Sequence, residues 1–221
     1  MELVYEYISR LPDLNNVILS FVPTISYFIS VKFYGYFQKK NTNLVDILDV
    51  KKSSKNMILS SVGNIFISYP IYNYFSEGNL FSILNVLLGM VLLDTYQYFT
   101  HRFYHSDSYI YSLLHKEHHY QKQISPETSF AHGDIVVKLD SILVISMFIY
   151  FKIIFTEHII ILSLSFISNV SDHTYTSKNK FHYIHHHVNI NRNLQAPFFT
   201  YWDHIFGTYH KDTELKIPFV P

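Results

Sequence analysis

The chain has 221 residues, a length typical of one domain, and its 17 basic side chains balance 17 acidic ones. This neutral balance gives no electrostatic bias toward nucleic acid, and we expect no nucleic-acid partner. Only 15% of the residues are charged while 18% are aromatic, and the absence of cysteine excludes disulfides and thiolate ligands. The composition is unusually apolar for a soluble protein of this size.

The N-terminal segment does not have the pattern of a cleaved signal peptide. Residues 1–14 contain Glu2, Glu6 and Asp13 against the single basic Arg10. A signal peptide begins with a basic region and ends with small residues at its cleavage site. Membrane insertion would therefore depend on hydrophobic segments that remain in the chain.

Four apolar stretches predict membrane-embedded helices, because a span needs about 20 mostly apolar residues. They cover approximately residues 16–37, 57–75, 80–99 and 135–170. The first contains Pro23, and the second has Pro70 near its end. Polar residues 156–158 interrupt the last stretch and predict a helical hairpin, while residues 76–78 predict a tight turn. A soluble α-helical protein with the same helices buried is the alternative.

Three histidine clusters dominate the sequence. Two histidines at i and i+3 or i+4 lie on one face of a helix, so each cluster can direct its rings at a common point. Imidazole is a ligand that suits iron, zinc and copper. Eight imidazoles are enough for two ions, and we predict all eight as metal ligands and catalytic residues. The clusters are His101-x3-His105, His115-x2-His118-His119 and His182-x2-His185-His186.

Two further histidines are candidate ligands. His173 follows the predicted hairpin and would lie near the same surface. His132 lies in a Phe-Ala-His-Gly loop, where it is either a ligand or the partner in a loop hydrogen bond. The other histidines are not predicted as ligands: His187 would be a neighbour of the ligands, His204 and His210 would lie at the surface or next to ligands, and His158 would lie on the far side.

The clusters can share one site only if they lie on the same side of the membrane. A hairpin between the second and third clusters satisfies this condition, and a hairpin of the second and third stretches puts residues 38–56 on that side too. This segment is basic, and basic loops tend to be cytoplasmic. Its lysines are Lys39, Lys40, Lys51, Lys52 and Lys55. We therefore predict that the histidines face the cytosol.

These patterns predict an all-α integral membrane bundle of about four embedded helices or hairpins. A cytosolic, histidine-rich helical cap would hold a dimetal site. We expect one domain over residues 1–221, with membrane helices in residues 1–80 and the histidine region in residues 90–210.

The order of the three clusters resembles the membrane-bound fatty acid hydroxylase and sterol desaturase superfamily. The segment 193–208 is similar to the closing segment of that superfamily. Three features are most similar to sphinganine C4-hydroxylases: Gln195 with the following Pro-Phe-Phe-Thr, the Ser-Asp-His at 171–173, and Asp94-x3-Tyr98 before the first cluster. The similarity covers residues 90–210.

The resemblance implies a centre of two iron ions that uses dioxygen to hydroxylate an unactivated C–H bond of a lipid, such as C4 of a sphingoid base or ceramide. Zinc accepts the same ligands and can replace iron in an isolated sample. The resemblance also implies electron supply from a cytochrome b5 and an NAD(P)H-dependent reductase, and residence in the endoplasmic reticulum.

Two positions depart from the family pattern. Family members commonly have His-Pro followed by a Glu two residues on, where this chain has His132, Gly133, Asp134 and Ile135, so that carboxylate is missing here. The third cluster usually reads His-Asp, whereas Tyr183 follows His182 here. The segment 174–181 is also shorter than the pattern leads us to expect.

Metal-binding histidines need their second ring nitrogen anchored by a carboxylate or carbonyl. Asp94, Asp172 and Asp203 each lie near a cluster and are candidates for this role, with helix capping or solvation as the alternative. Arg102 and Lys116 are candidates for contact with an anionic or polar lipid headgroup.

Other functions remain open. A sterol C4-methyl oxidase or a C5-desaturase-like enzyme would carry the same clusters. A metal transporter would place its ligands near the middle of the membrane, whereas these clusters lie outside the apolar stretches. A structural zinc site needs only four ligands, fewer than the clusters offer.

Overall fold

A computed structural model of the chain describes residues 9, 11–37, 47–75, 79–120, 125–174, 181–194 and 197–210. All regular elements within these ranges are helical, and no strand occurs in them. This confirms the prediction of an all-α fold. The turn predicted at residues 76–78 and the motif residues Gln195 and Ala196 lie outside the described residues.

The N-terminal part of the chain contains two runs of helices that follow one another almost without interruption. Their bounds are α1 (Leu14–Ser20), α2 (Val22–Phe37), α3 (Ile47–Gly63), a π-helical turn (Asn64–Ser68) and α4 (Tyr69–Phe75). The first run consists of α1 with α2, and the second of α3 with α4. Proline lacks a backbone N–H and is tolerated in the first turn of a helix. Pro23 and Pro70 both occupy the second position of a helix, at the junctions where α2 and α4 begin.

The remaining helices include those that carry the histidine clusters. Their bounds are α5 (Ile83–Tyr104), α6 (Ser108–Leu114), α7 (Lys116–His119), a 3₁₀ turn (Pro126–Thr128), α8 (Asp134–Tyr150), α9 (Phe155–Asp172), α10 (Phe181–His187) and α11 (Tyr201–Ile205). Helix α9 is the central element, because it packs against both α2 and α5.

Two helix boundaries differ from the sequence prediction. Helix α3 begins at Ile47, about ten residues before the predicted apolar stretch. Its first turns contain polar residues such as the exposed Lys51, so a search for apolar residues does not find them. The hairpin turn lies between Tyr150 and Phe155, before the polar residues 156–158. Glu157 is in the first turn of α9, where its carboxylate accepts a hydrogen bond from the Ile154 N–H at 2.9 Å. An acidic residue there favours the start of a helix.

Helices α5 and α9 run parallel with their first turns together. The buried Glu157 carboxylate also accepts hydrogen bonds from the Ser82 N–H at 2.7 Å and from Asn85 at 3.2 Å, at the start of α5. The last residues of both helices therefore lie at the opposite, shared end. This arrangement places the first histidine cluster and His173 at the same end of the two helices.

The main hydrophobic core joins α4, α5, α8 and α9. Its buried members are Tyr72, Val86, Leu93, Val144, Phe148, Ile153, Phe155, Ile159 and Ile161. A smaller core joins α2, α3 and α9, and its buried members are Tyr27, Met57, Phe166 and Val170.

Two helical segments are long and apolar enough to span a membrane. Among the described residues they are Leu14–Tyr36 and Ile83–Tyr104, and only 28% of the most apolar part of each is buried within the chain. On α5, Leu84 is 71% exposed, Leu87 50% and Val91 43%. Large apolar surfaces of this kind mark contact with a membrane or partner rather than with water. The chain therefore has membrane character, while embedding of the other two predicted stretches stays a prediction.

Candidate metal centre

The first cluster lies at the end of α5. The helix continues beyond its apolar part to Tyr104, so His101 is in the last turn and His105 follows as the cap residue. The two ring centroids are 5.0 Å apart. The spacing of four residues therefore brings both rings to one face, as the sequence predicts.

The second and third clusters lie on short helices. Asp107 begins α6 by accepting hydrogen bonds from the N–H groups of Tyr109 and Ile110, a normal role for an N-cap aspartate. His115 ends α6 and begins α7, which carries His118 and His119 in its single turn. Helix α10 carries the third cluster and directs it at the ends of α5 and α7.

Nine histidines form two compact groups in which the ligand nitrogens lie within 4.8 Å of one another. The group of five contains His101, His105, His115, His119 and His185. The group of four contains His118, His173, His182 and His186.

Neighbouring residues are divided between the two groups. His118 and His119 belong to different groups, and so do His185 and His186. Successive side chains on a helix point about 100° apart, so two adjacent histidines can serve two centres. His118 and His186 contact each other in one group, while His119 and His185 do so in the other. The adjacent pairs His118-His119 and His185-His186 therefore each contribute one ring to each group and link the two groups.

The distances between ring nitrogens fit a shared cation. The Nε2 atoms of His101 and His115 are 2.9 Å apart, those of His119 and His185 are 3.2 Å apart, and those of His118 and His186 are 3.0 Å apart. Nitrogen ligands about 2.0 to 2.1 Å from one ion are separated by about 2.8 to 3.4 Å. The observed separations agree with this range.

Several buried ring nitrogens have no hydrogen-bond partner among the described residues. Both nitrogens of His105 and of His182 are in this state, as is Nε2 of His173. Buried polar atoms are nearly always paired in folded proteins. Unpaired nitrogens that converge within each group are therefore a second observation that fits bound metal.

Backbone carbonyls anchor two of the rings. His185 Nδ1 donates to the Arg192 carbonyl at 3.0 Å, and His173 Nδ1 donates to the Asn169 carbonyl at 2.8 Å. This leaves the Nε2 lone pair of each ring available within its group.

Asp94 and Asp203 do not anchor histidines, contrary to the role considered for them from the sequence. The Asp94 carboxylate accepts hydrogen bonds from the N–H groups of Phe198 and Phe199, both at 2.8 Å. Asp203 accepts hydrogen bonds from the Leu194 N–H and the Thr208 hydroxyl. The Asp94 carboxylate thus fixes residues 198–199 to α5. The Asp203 carboxylate fixes Leu194 and Thr208 to α11. The role of Asp172 stays a prediction.

Burial keeps the histidines uncharged. It lowers the pKa of His105 to about 4 and that of His119 to about 3. Burial also holds the pKa values of His118, His182 and His186 well below the ordinary value, and repulsion from neighbouring histidines adds to the effect. Neutral imidazole is the form that binds metal, so these rings are ready to bind near neutral pH.

His132 is the only one of the ten predicted metal ligands that the structure places outside both groups. Its ring stacks on that of His118, with centroids 4.2 Å apart and an interplanar angle of 22°. Burial lowers its pKa to about 4. His132 thus borders the group of four through ring contact.

The four histidines that were not predicted as ligands lie outside both groups. His158 is in the core, where its Nδ1 is 3.0 Å from the Tyr72 hydroxyl. His204 stacks on Tyr209 with centroids 4.0 Å apart.

Sequence reasoning missed the contribution of α3 to the site. Lys52 on α3 forms an ion pair with Glu117, which lies inside the second cluster. Ser53 accepts a hydrogen bond from the Phe130 N–H at 3.1 Å, and Asn56 donates to the Phe130 carbonyl at 2.8 Å. The spacing of Lys52, Ser53 and Asn56 on one helix face was the available signal, but nothing in the sequence connects that face to Glu117.

The fold and the site define a class: helical proteins of membrane character that hold histidine clusters in two adjacent groups. The sequence model described as fatty acid hydroxylase matches residues 86–208, more than half of the chain. The chain belongs to the fatty acid hydroxylase family. No solved structure matches it.

Curated relatives include sphingolipid and sterol enzymes. Sphinganine C4-monooxygenase 1 of Arabidopsis thaliana is 30% identical over 140 residues, which are 55% of this chain and 52% of the relative. Sphingolipid C4-hydroxylase sur2 of Schizosaccharomyces pombe is 26% identical over 132 residues, which are 53% and 45% of the two chains. Methylsterol monooxygenase 1 of Rattus norvegicus is 30% identical over 156 residues, 61% and 50%. The chain spans about half the length of these relatives.

Proposed function

We propose that the chain is an oxygen-dependent lipid hydroxylase that acts at C4 of a sphingoid base or ceramide. The observation that carries this proposal is the pair of histidine groups, which offers nine neutral nitrogen ligands to two ions. The names of the relatives from Arabidopsis thaliana and Schizosaccharomyces pombe support the substrate class.

Two iron ions would be held by the group of five and the group of four. When bound, they supply the activation of dioxygen that oxidation of an unactivated C–H bond requires. The chain's own contribution is to hold uncharged rings in fixed positions. The carbonyls of Arg192 and Asn169 orient two of them, and the packing of α9 against α5 brings the clusters together.

The position of the site suits an amphiphilic substrate. The exposed apolar faces of the two candidate spans would contact lipid, and the group of five includes His101 and His105 at the end of α5. A lipid chain rising from the bilayer would reach the histidines at that end. A metal transporter, by contrast, would need ligands near the middle of its spans.

Electrons would come from a separate donor, for which we propose a cytochrome b5 and its NAD(P)H-dependent reductase. We also propose a multi-pass topology in the endoplasmic reticulum with the histidine groups on the cytosolic side. The basic lysines of α3 support this orientation, because Lys52 is paired with Glu117 on the histidine side of the molecule.

Sterol oxidation is the second candidate function. It is supported by the similarity to methylsterol monooxygenase 1, which covers 61% of this chain. The histidine groups suit both reactions equally, so only the product separates the two candidates.

Lipid mass spectrometry after expression in a Saccharomyces cerevisiae strain without its own sphingolipid C4-hydroxylase tests the proposal. We expect 4-hydroxylated sphingoid products with the wild-type chain, none with His118→Ala, and wild-type levels with the control His204→Ala. An iron-loaded chain in the membrane that gives no such product, but oxidises a methylsterol, would move the assignment to the sterol reaction.

A further inference from the structure

A cavity of about 460 Å³ opens beside the group of five histidines. Its lining includes the half-buried His105, the buried Leu194 and the exposed Arg102 and Arg192. Asn189 and Asn191 add two further polar side chains to the lining. A molecule in this cavity would contact both arginines and a histidine of the candidate metal centre.

Local contacts hold the two arginines in place. Arg102 lies over the ring of Phe206 at 5.1 Å from its centroid and donates to the Tyr98 hydroxyl at 3.4 Å. Arg192 donates to the carbonyl of Gly207. A guanidinium carries five N–H donors and no acceptor. Each arginine therefore keeps further donors for a ligand after making these contacts.

The charge of the cavity selects among headgroups. Two guanidiniums line it, and none of the described lining residues is acidic. A protonated amine would be repelled by both arginines and would find no carboxylate partner there. Hydroxyl and amide oxygens accept hydrogen bonds from guanidinium and from asparagine N–H groups. The cavity thus favours an acceptor-rich headgroup without positive charge.

We propose that this cavity binds the headgroup of an N-acylated sphingoid and discriminates against the free sphingoid base. This inference rests on the proposed function, since it assigns one of two forms of that substrate. A free base carries a protonated amine at neutral pH, whereas N-acylation replaces this charge with a neutral amide that offers a carbonyl oxygen. C4 is close to the headgroup along the chain. A headgroup beside His105 would therefore keep C4 near the group of five.

A binding experiment without turnover tests the inference. The 221-residue chain is loaded with zinc in lipid nanodiscs and titrated with N-octanoyl sphinganine and with sphinganine. Trp202, the single tryptophan, serves as the reporter, because its ring is 5.8 Å from that of Phe206, which Arg102 covers. We expect the N-acylated lipid to bind at least 10-fold more tightly.

The decisive comparison uses the double variant Arg102→Gln, Arg192→Gln. We expect its preference for the N-acylated lipid to fall below about 3-fold, because the repulsion of the free base is removed. Lys138→Gln is the matched control, since it removes an exposed positive charge on α8 away from the cavity lining. The control should keep the wild-type preference, and zinc content should be equal in all three proteins.

Three results would overturn the inference: equal or tighter binding of sphinganine by the wild-type chain, an unchanged preference in the double variant, or no binding of either lipid. The proposed function is judged separately by the product analysis in yeast. A chain that makes 4-hydroxylated product but binds the free base more tightly would keep its function and lose this substrate assignment.

Discussion

His185 is held in one tautomer by Arg192. Its Nδ1 donates to the Arg192 carbonyl at 3.0 Å, so the lone pair is on Nε2, which lies 3.2 Å from Nε2 of His119. A backbone carbonyl orients this ring in the way that a carboxylate does in many metal sites. The contact also connects the third cluster to residues 189–194, several of which line the cavity that contains Arg102 and Arg192.

The two histidine groups should lose metal unequally when one ligand is removed. His118→Ala leaves three histidines in its group, whereas His185→Ala leaves four in the other. We expect a chelator to remove one ion per chain rapidly from His118→Ala, while His185→Ala releases its ion more slowly. Metal analysis against time of chelation provides the measurement, and both variants should lose turnover.

His204→Ala is the control for this series, because His204 lies outside both groups and stacks on Tyr209. It should release metal at the wild-type rate. Simultaneous loss of both ions from His118→Ala and from His185→Ala would contradict two separate centres.

The histidine clusters were predictable from sequence spacing alone, and so was the all-α fold. The division of His118 and His119 between two groups was not, because it depends on how α7 meets α10. The ion pair between Lys52 and Glu117 could not be inferred either, since the two residues are 65 positions apart in the sequence. Local periodicity predicts which side chains share a helix face, but not what lies opposite that face.

Removal of the His132 ring should leave both ions bound. In the structure this ring stacks on His118 and stays outside the two groups. We therefore expect His132→Ala to retain two ions per chain under the chelation that strips one ion from His118→Ala. The same metal analysis measures both variants side by side. Loss of one ion from His132→Ala would make His132 a tenth ligand.

The metal-free chain should lose stability in mild acid. Burial lowers the pKa of His105 to about 4 and that of His119 to about 3, while the ordinary value is 6.5. The unfolded chain therefore binds more protons between these values, so the free energy of unfolding decreases as the pH falls below 6.5. Each histidine that stays neutral contributes at most about 1.4 kcal/mol per pH unit.

Thermal unfolding of the chelator-treated protein in detergent measures this effect. The melting temperature should be nearly constant between pH 7.5 and 8.5 and should fall between pH 6.5 and 5. A melting temperature that rises on acidification would show that the histidines are charged in the folded chain.

Close packing of α5 on α9 should make Gly89 intolerant of a side chain. A Cβ atom at Gly89 would lie 2.2 Å from Cδ1 of the fully buried Ile161. Overpacking of this kind costs about 1 to 3 kcal/mol, so Gly89→Ala should lower the melting temperature. It should also reduce metal retention, because the same packing aligns the ends of α5 and α9.

Two further variants separate this clash from a general effect of replacing glycine in a helix. Gly63→Ala places its Cβ where no atom lies within 4 Å, and the higher helix propensity of alanine should leave stability unchanged or slightly raised. Ile161→Val removes the clashing Cδ1 atom, so Gly89→Ala should destabilise the Ile161→Val background less than the wild type. A double-mutant cycle on melting data measures this coupling. Additive losses would show that α5 and α9 are not in contact at Gly89.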